Sequence, residues 1–121
     1  MSHPSNWNVC VEVGINHLGS FSLLENMIKR IDLTNLNASI TVRIREEELY
    51  IKNEKFYLDY DELKEFTKLC RSLDIPCGFT LGPISNLKAL TGGGLKPDFI
   101  KTLSMSTENI DFVKSLYVAY D

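Results

Sequence analysis

The chain has 121 residues, 13 Lys+Arg against 16 Asp+Glu and a formal net charge of −3, with 44% apolar and 24% charged residues. This is the composition of one ordinary globular domain. It argues against the basic footprint of a nucleic-acid binder, and no apolar run approaches the roughly 18 residues of a membrane span. A complete eight-stranded βα barrel needs roughly 200 residues or more, so the chain is too short to be one.

The first segment, Met1 to Asn8, is polar. It lacks the charged and apolar regions of a signal peptide and is expected to be a flexible N-terminus over residues 1–8. Val9 to Ile15 is rich in β-branched residues and reads as a strand, broken by Gly14 to Gly19 (GINHLG). Ser22 with Glu25 three residues later has the form of a capping box. Leu24, Met27, Ile28 and Ile31 then recur at helical spacing, which predicts a helix over roughly 22–32.

Next, Ile40, Val42 and Ile44 alternate with Thr41, Arg43 and Arg45, the pattern of a second strand. Residues 46–58 form a polar and aromatic connection with room for a hairpin near Asn53, and the charge run Arg43 to Glu48 reads as a solvated strand end. Asp59 with Glu62 repeats the capping signature ahead of Leu63, Phe66, Cys70 and Leu73, a helix stopped by Ile75-Pro76. Cys77 to Leu81 is a third strand, Pro83 to Leu90 a short helix ended by Gly92-Gly93-Gly94, and Phe99 to Leu103 a fourth strand. Asn109 caps a last helix carrying Ile110, Val113 and Tyr117.

The order βαβαβαβα predicts an α/β domain over residues 9–121 with a parallel sheet and right-handed crossovers. Units of roughly 30 residues suit either a doubly wound sheet or part of a βα barrel. Both architectures place their ligands beyond the carboxyl ends of the strands. The polar residues there are Glu12, Asn16 and His17 after the first strand, Thr80 on the third, and Lys101 and Ser104 at the fourth.

Lys101 stands in an otherwise apolar run. An ammonium inside a sheet costs several kcal/mol unless an anion offsets it. Two readings follow: Lys101 and Ser104 hold a phosphate or carboxylate, or Lys101 pairs with Glu12. His17 reads as a hydrogen-bonded loop residue before it reads as a metal ligand. Cys10, Cys70 and Cys77 are odd in number and lack CxxC spacing, so they are expected to be buried, reduced thiols of a cytoplasmic protein. No G-x-G-x-x-G, Walker loop or H-E-x-x-H occurs.

At these residues the chain resembles the N-terminal part of the sialic acid synthase family. Glu12 to Gly19 (EVGINHLG) is similar to the family's E-I-G-x-N-H-x-G, with Glu12, Gly14, Asn16, His17 and Gly19 in register. Thr80 stands at the family's third-strand threonine. Lys101 to Asn109 (KTLSMSTEN) is similar to K-I-x-S-G-[DE]-x-x-N through Lys101, Ser104 and Asn109. The resemblance covers residues 9–120 in family order.

It implies a four-unit half of a (β/α)8 barrel. The implied chemistry is the condensation of phosphoenolpyruvate with N-acetylmannosamine, or its 6-phosphate, with a divalent metal such as manganese activating the aldehyde. By the same resemblance Lys101 and Ser104 hold phosphoenolpyruvate and Glu12 is the catalytic-site residue that contacts the sugar. Thr80, Asn16 and His17 are the further substrate-binding positions.

The departures are specific. The family's second-strand K-x-Q is replaced by Thr41 to Arg45, where Arg43 takes the lysine's place with a one-residue shift and no glutamine follows. Leu81-Gly82 replaces Pro-Phe, and Met105-Ser106 replaces Gly and an acid. The family's two metal-binding histidines and its antifreeze-like domain lie on later segments than this chain has. The expectation is therefore a synthase-like protein that does not turn over alone. The alternatives are a non-catalytic half-barrel binding an anion or a partner chain, and a purely structural assembly module. Open sheet edges predict a homodimer or a complementing half-barrel chain.

Overall fold

A computed structural model describes residues 8–44, 57–81 and 95–102, together with Lys114. The described residues form an α/β unit with a four-stranded, all-parallel sheet and two helices. In chain order these are β1 (Val9–Gly14), α1 (Phe21–Leu33), β2 (Ala38–Arg43), α2 (Tyr60–Ser72), β3 (Cys77–Leu81) and β4 (Phe99–Thr102). The predicted hairpin near Asn53, the helix over residues 83–90 with its three glycines, and the last helix lie outside the described residues.

The strands follow one another in space as they do in sequence, β1-β2-β3-β4. A doubly wound sheet reverses its order at a switch point, and this order has no reversal. Right-handed crossovers that always advance in one direction leave every helix on one face, and α1 and α2 do pack against each other there.

Period-two alternation sorts the side chains between the two faces. The helix side of the strands supplies Val13, Ile40, Val42, Ile44, Cys77 and Phe79, all buried. They meet Leu24 and Ile28 of α1 and Leu63, Phe66 and Cys70 of α2 in one apolar core. The Phe66 and Phe79 rings lie 5.9 Å apart, tilted by 53°. That geometry adds about 1 kcal/mol to their area burial.

Each helix starts where its cap dictates. Asp59 accepts from the Glu62 N–H at 2.8 Å while the Glu62 side chain accepts from the Asp59 N–H, the predicted capping box in full. For α1 the predicted cap is corrected. Ser20, not Ser22, caps the helix, its Oγ accepting from the Leu23 N–H at 3.2 Å. Helix entry follows directly on the turn after β1, so Ser22 falls inside the first turn. Glu25 is then one turn from Lys29 and pairs with it at 2.7 Å.

The cysteine expectation holds for two residues and fails for the third. Cys70 and Cys77 are free and buried, whereas Cys10 is free and exposed. Among the described residues Cys10 lies on an outer strand, with its side chain on the face that carries no helix. A strong β-branched neighbourhood buries only the side that something packs against. Between Cys70 and Cys77, a thiol–thiol hydrogen bond together with burial pushes the Cys70 thiol far up, which makes it an inert core group.

Candidate functional site

Among the described residues the second face of the sheet carries no helix, and this helix-free face collects the polar half of every strand. Alternation places Cys10 and Glu12 of β1, Thr41 and Arg43 of β2, Gly78 and Thr80 of β3, and Phe99 and Lys101 of β4 on that side. The pairing puts Glu12 beside Thr41, Thr41 beside Gly78, Arg43 beside Thr80, and Thr80 beside Lys101.

Three of these side chains meet. Lys101 Nζ donates to Glu12 Oε2 at 2.6 Å, and Thr80 Oγ1 donates to the two Glu12 oxygens at 3.2 and 3.3 Å. β1 and β4 are three strand spacings apart, about 14 Å in a flat sheet. A direct Glu12–Lys101 contact across that span requires both side chains to extend and the sheet to curl toward them. The helix-free face is therefore concave, and the ion pair bridges its rims.

One burial expectation is corrected here. Lys101 is not an ammonium enclosed in a sheet, because its side chain remains 47% exposed and that of Glu12 36% exposed. β4 is the last described strand, and its concave side is open. Exposed pairs of this kind contribute only about 0–1 kcal/mol to folding, so the pair is not a main determinant of stability.

The electrostatics follow from the contacts. Partial burial alone would raise the Glu12 carboxyl. The Lys101 hydrogen bond and charge, with the Thr41 and Thr80 hydroxyls, outweigh it and hold Glu12 below the usual carboxylate range. Glu12 in turn raises Lys101, against a smaller opposing effect of burial. Both groups are ionised at neutral pH. Thr41 is fully buried, and its Oγ1 makes no hydrogen bond of ordinary geometry. Its nearest polar neighbour on this face is the Glu12 carboxylate, beside which it stands in register.

The turn between β1 and α1 is shaped by its backbone. Gly14 has φ +57°, a left-handed conformation that ends the strand and that a side chain would strain. Asn16 N–H donates to the Val13 carbonyl, Leu18 N–H to Ile15 and Ser20 N–H to His17. Leu18 is itself left-handed at φ 55° and 61% exposed.

His17 anchors this turn from within. It is fully buried, and its Nδ1 accepts from the Gly19 N–H at 3.0 Å. The proton of the neutral ring therefore sits on Nε2, which makes no hydrogen bond of ordinary geometry. Burial lowers the His17 pKa, with the Gly14 carbonyl opposing.

The predicted site residues thus separate. Glu12, Thr80 and Lys101 converge. Arg43 is half-buried on the same face, beside Thr80. Asn16 is exposed on the turn and His17 is buried beneath it. Ser104 lies outside the described residues. Sequence reasoning missed Thr41, although its alternation with Ile40 and Val42 already put it on the face of Arg43.

It also missed the Gly78–Phe99 contact. A Cβ on Gly78 would come within 2.5 Å of the Phe99 ring and 2.7 Å of its carbonyl oxygen, so only glycine admits that ring onto the concave face. Among the described residues no group of three His, Cys, Asp or Glu side chains is placed to hold a metal ion. No helix among them is long and apolar enough to cross a membrane. No family model, no curated protein and no solved structure matches this chain.

Proposed function

We propose that the chain is a sialic acid synthase-like half-barrel whose concave face binds a small carboxylate- or phosphate-bearing ligand of the phosphoenolpyruvate class. The observation that carries this reading is the convergence of Glu12, Thr80 and Lys101, three of the positions matching the family motifs, on one face from β1, β3 and β4. The Lys101 ammonium gives one of its three N–H donors to Glu12 and stays half-exposed, so the other two can meet an anion. An ionised carboxylate beside it suits the hydroxyls of an amino sugar.

The barrel component of the reading has its own support. Glu12 stands in register with Thr41 and through it with Gly78, yet its carboxylate meets Thr80, two residues further along β3. Tilted strands in an eight-stranded parallel barrel are staggered by about one residue per strand, so alternate strands feed one interior layer. The Glu12–Thr80 offset is the offset that arrangement produces.

The site favours binding over catalysis. Glu12 is held as a carboxylate by its partners, which disfavours proton donation at neutral pH. The described residues do not fit the family's metal either: His17 Nδ1 is taken by the Gly19 N–H, and the Glu12 oxygens are taken by Lys101 and Thr80. The expected behaviour of this chain is ligand binding without condensation.

Titration calorimetry with phosphoenolpyruvate tests the binding. The parent chain should bind, and Lys101→Ala should abolish the heat. Absence of binding by the parent, or equal binding by the variant, overturns the proposal. A phosphate-release assay with phosphoenolpyruvate, N-acetylmannosamine and manganese should stay at background; steady release would establish an active synthase instead.

A further inference from the structure

We propose that Glu12 is a built-in competitor at the anion site: its carboxylate occupies donors that an anionic ligand would use, and its charge holds the affinity for such a ligand down. The inference rests on the ligand-binding reading above and adds what limits that binding.

The donors identify the site. Lys101 Nζ of β4 donates to Glu12 Oε2 at 2.6 Å, and Thr80 Oγ1 of β3 donates to the two Glu12 oxygens at 3.2 and 3.3 Å. Thr41 of β2 stands beside Glu12 in register, and its hydroxyl also favours the carboxylate. Three strands thus aim an ammonium and two hydroxyls at one pair of oxygens. Such a set of donors is an anion cradle. The anion in this cradle belongs to the chain itself.

Charge decides what Glu12 does there. Partial burial opposes its ionisation, but the contacts from Lys101, Thr41 and Thr80 outweigh that effect. Glu12 therefore carries a full negative charge at neutral pH. Among the described residues, the other charged side chains that the strands place on this face are Lys101 and Arg43, both cations. Glu12 is the one carboxylate on the face. A ligand anion on the two remaining N–H donors of Lys101 shares a single ammonium with that carboxylate. Like charges in such contact repel, which lowers affinity.

Exposure lets the competitor yield. The Glu12 side chain is 36% exposed and that of Lys101 47% exposed. A pair in this setting is held weakly, so the carboxylate can turn into water when an anion takes its donors. The opposition to the ligand is electrostatic and not steric. Removing the charge at position 12 should therefore strengthen anion binding, whereas a residue that contacts the anion favourably would weaken it when replaced.

Titration calorimetry at neutral pH with phosphoenolpyruvate tests this. Glu12→Gln should bind about tenfold more tightly than the parent. Glu12→Ala carries the same expectation, so a failure of either variant to keep the parent circular dichroism leaves the other as the test. Lys101→Ala added to Glu12→Gln should abolish the gain. N-acetylmannosamine, which is uncharged, should bind the Glu12→Gln variant no more tightly than the parent. Equal or weaker binding of phosphoenolpyruvate by the folded Glu12 variants would overturn the competitor role and leave the ligand proposal standing. A gain that survives Lys101→Ala, or an equal gain for the uncharged sugar, would also overturn it. A silent parent beside a binding Glu12→Gln variant would support the competitor and overturn ligand binding by the parent chain. Silence of both would overturn both.

Discussion

The two faces of the sheet are made by the same four strands and do opposite work. On the helix side, Val42 and Phe79 alternate with residues that never reach the core, and they pack with Phe66, Leu24 and Ile28 into a closed apolar layer. On the concave side, the intervening residues Thr41, Thr80, Glu12 and Lys101 make a polar surface whose charges stay partly in water. Fold stability comes from apolar area removed from water. The recognition proposed for the concave face needs polar groups that remain available. The period of two keeps the two requirements on separate residues of each strand, so either face can change without rebuilding the other.

Substitutions can break this division or sharpen it. The largest effect is expected for Phe79→Ala. It leaves a cavity opposite Phe66 in a fully buried place and should cost about 3–5 kcal/mol in denaturant unfolding. Its sequence neighbour Gly78 faces the other way. Gly78→Ala should cost about 1–3 kcal/mol by forcing the Phe99 ring and backbone aside. If Gly78→Ala proves as damaging as Phe79→Ala, the concave face is part of the core and the division fails.

A smaller effect is expected from pH. The folded His17 pKa lies below the unperturbed value of about 6.5. Between those two values the unfolded chain binds more protons than the folded one, so stability should rise with pH across that window. Full stability should be present above pH ~6.5 and fall as acid protonates the unfolded histidine. Unfolding midpoints of the parent against His17→Gln over this range should differ in slope. Parallel curves would remove His17 from the turn's stability.

The smallest stability effect is expected for Lys101→Ala, within about 1 kcal/mol, since the ion pair is exposed. The same variant is expected to lose ligand heat altogether. A change of several kcal/mol in its stability would place Lys101 in the architecture and not in recognition.

Much of the fold was legible locally. The Asp59–Glu62 box, the alternation through Ile40 to Ile44 and the β-branched run at Val9 each depend on neighbours within a few residues, and all three appear in the folded chain. The α1 cap slipped by two residues because Ser20 and Ser22 both suit a cap, and the choice rests on how the turn after β1 delivers the chain. Cys10 was misjudged because its strand's composition is apolar while its position is a rim. In the site, Glu12 and Lys101 were readable as chemically unusual residues, and their pairing was readable only as one of two options.

By itself, the sequence determined the segments, their alternating faces and the polar residues available for a site, because backbone propensity, capping and side-chain period act over short spans. Only the tertiary structure decided that Glu12 meets Lys101, 89 residues away. The same holds for His17, which went into the interior while Asn16 stayed outside, and for the strand order, which advances without reversing. These outcomes depend on which strand becomes a rim and how far the sheet curls. Both are set by the packing of whole elements, which no local pattern encodes.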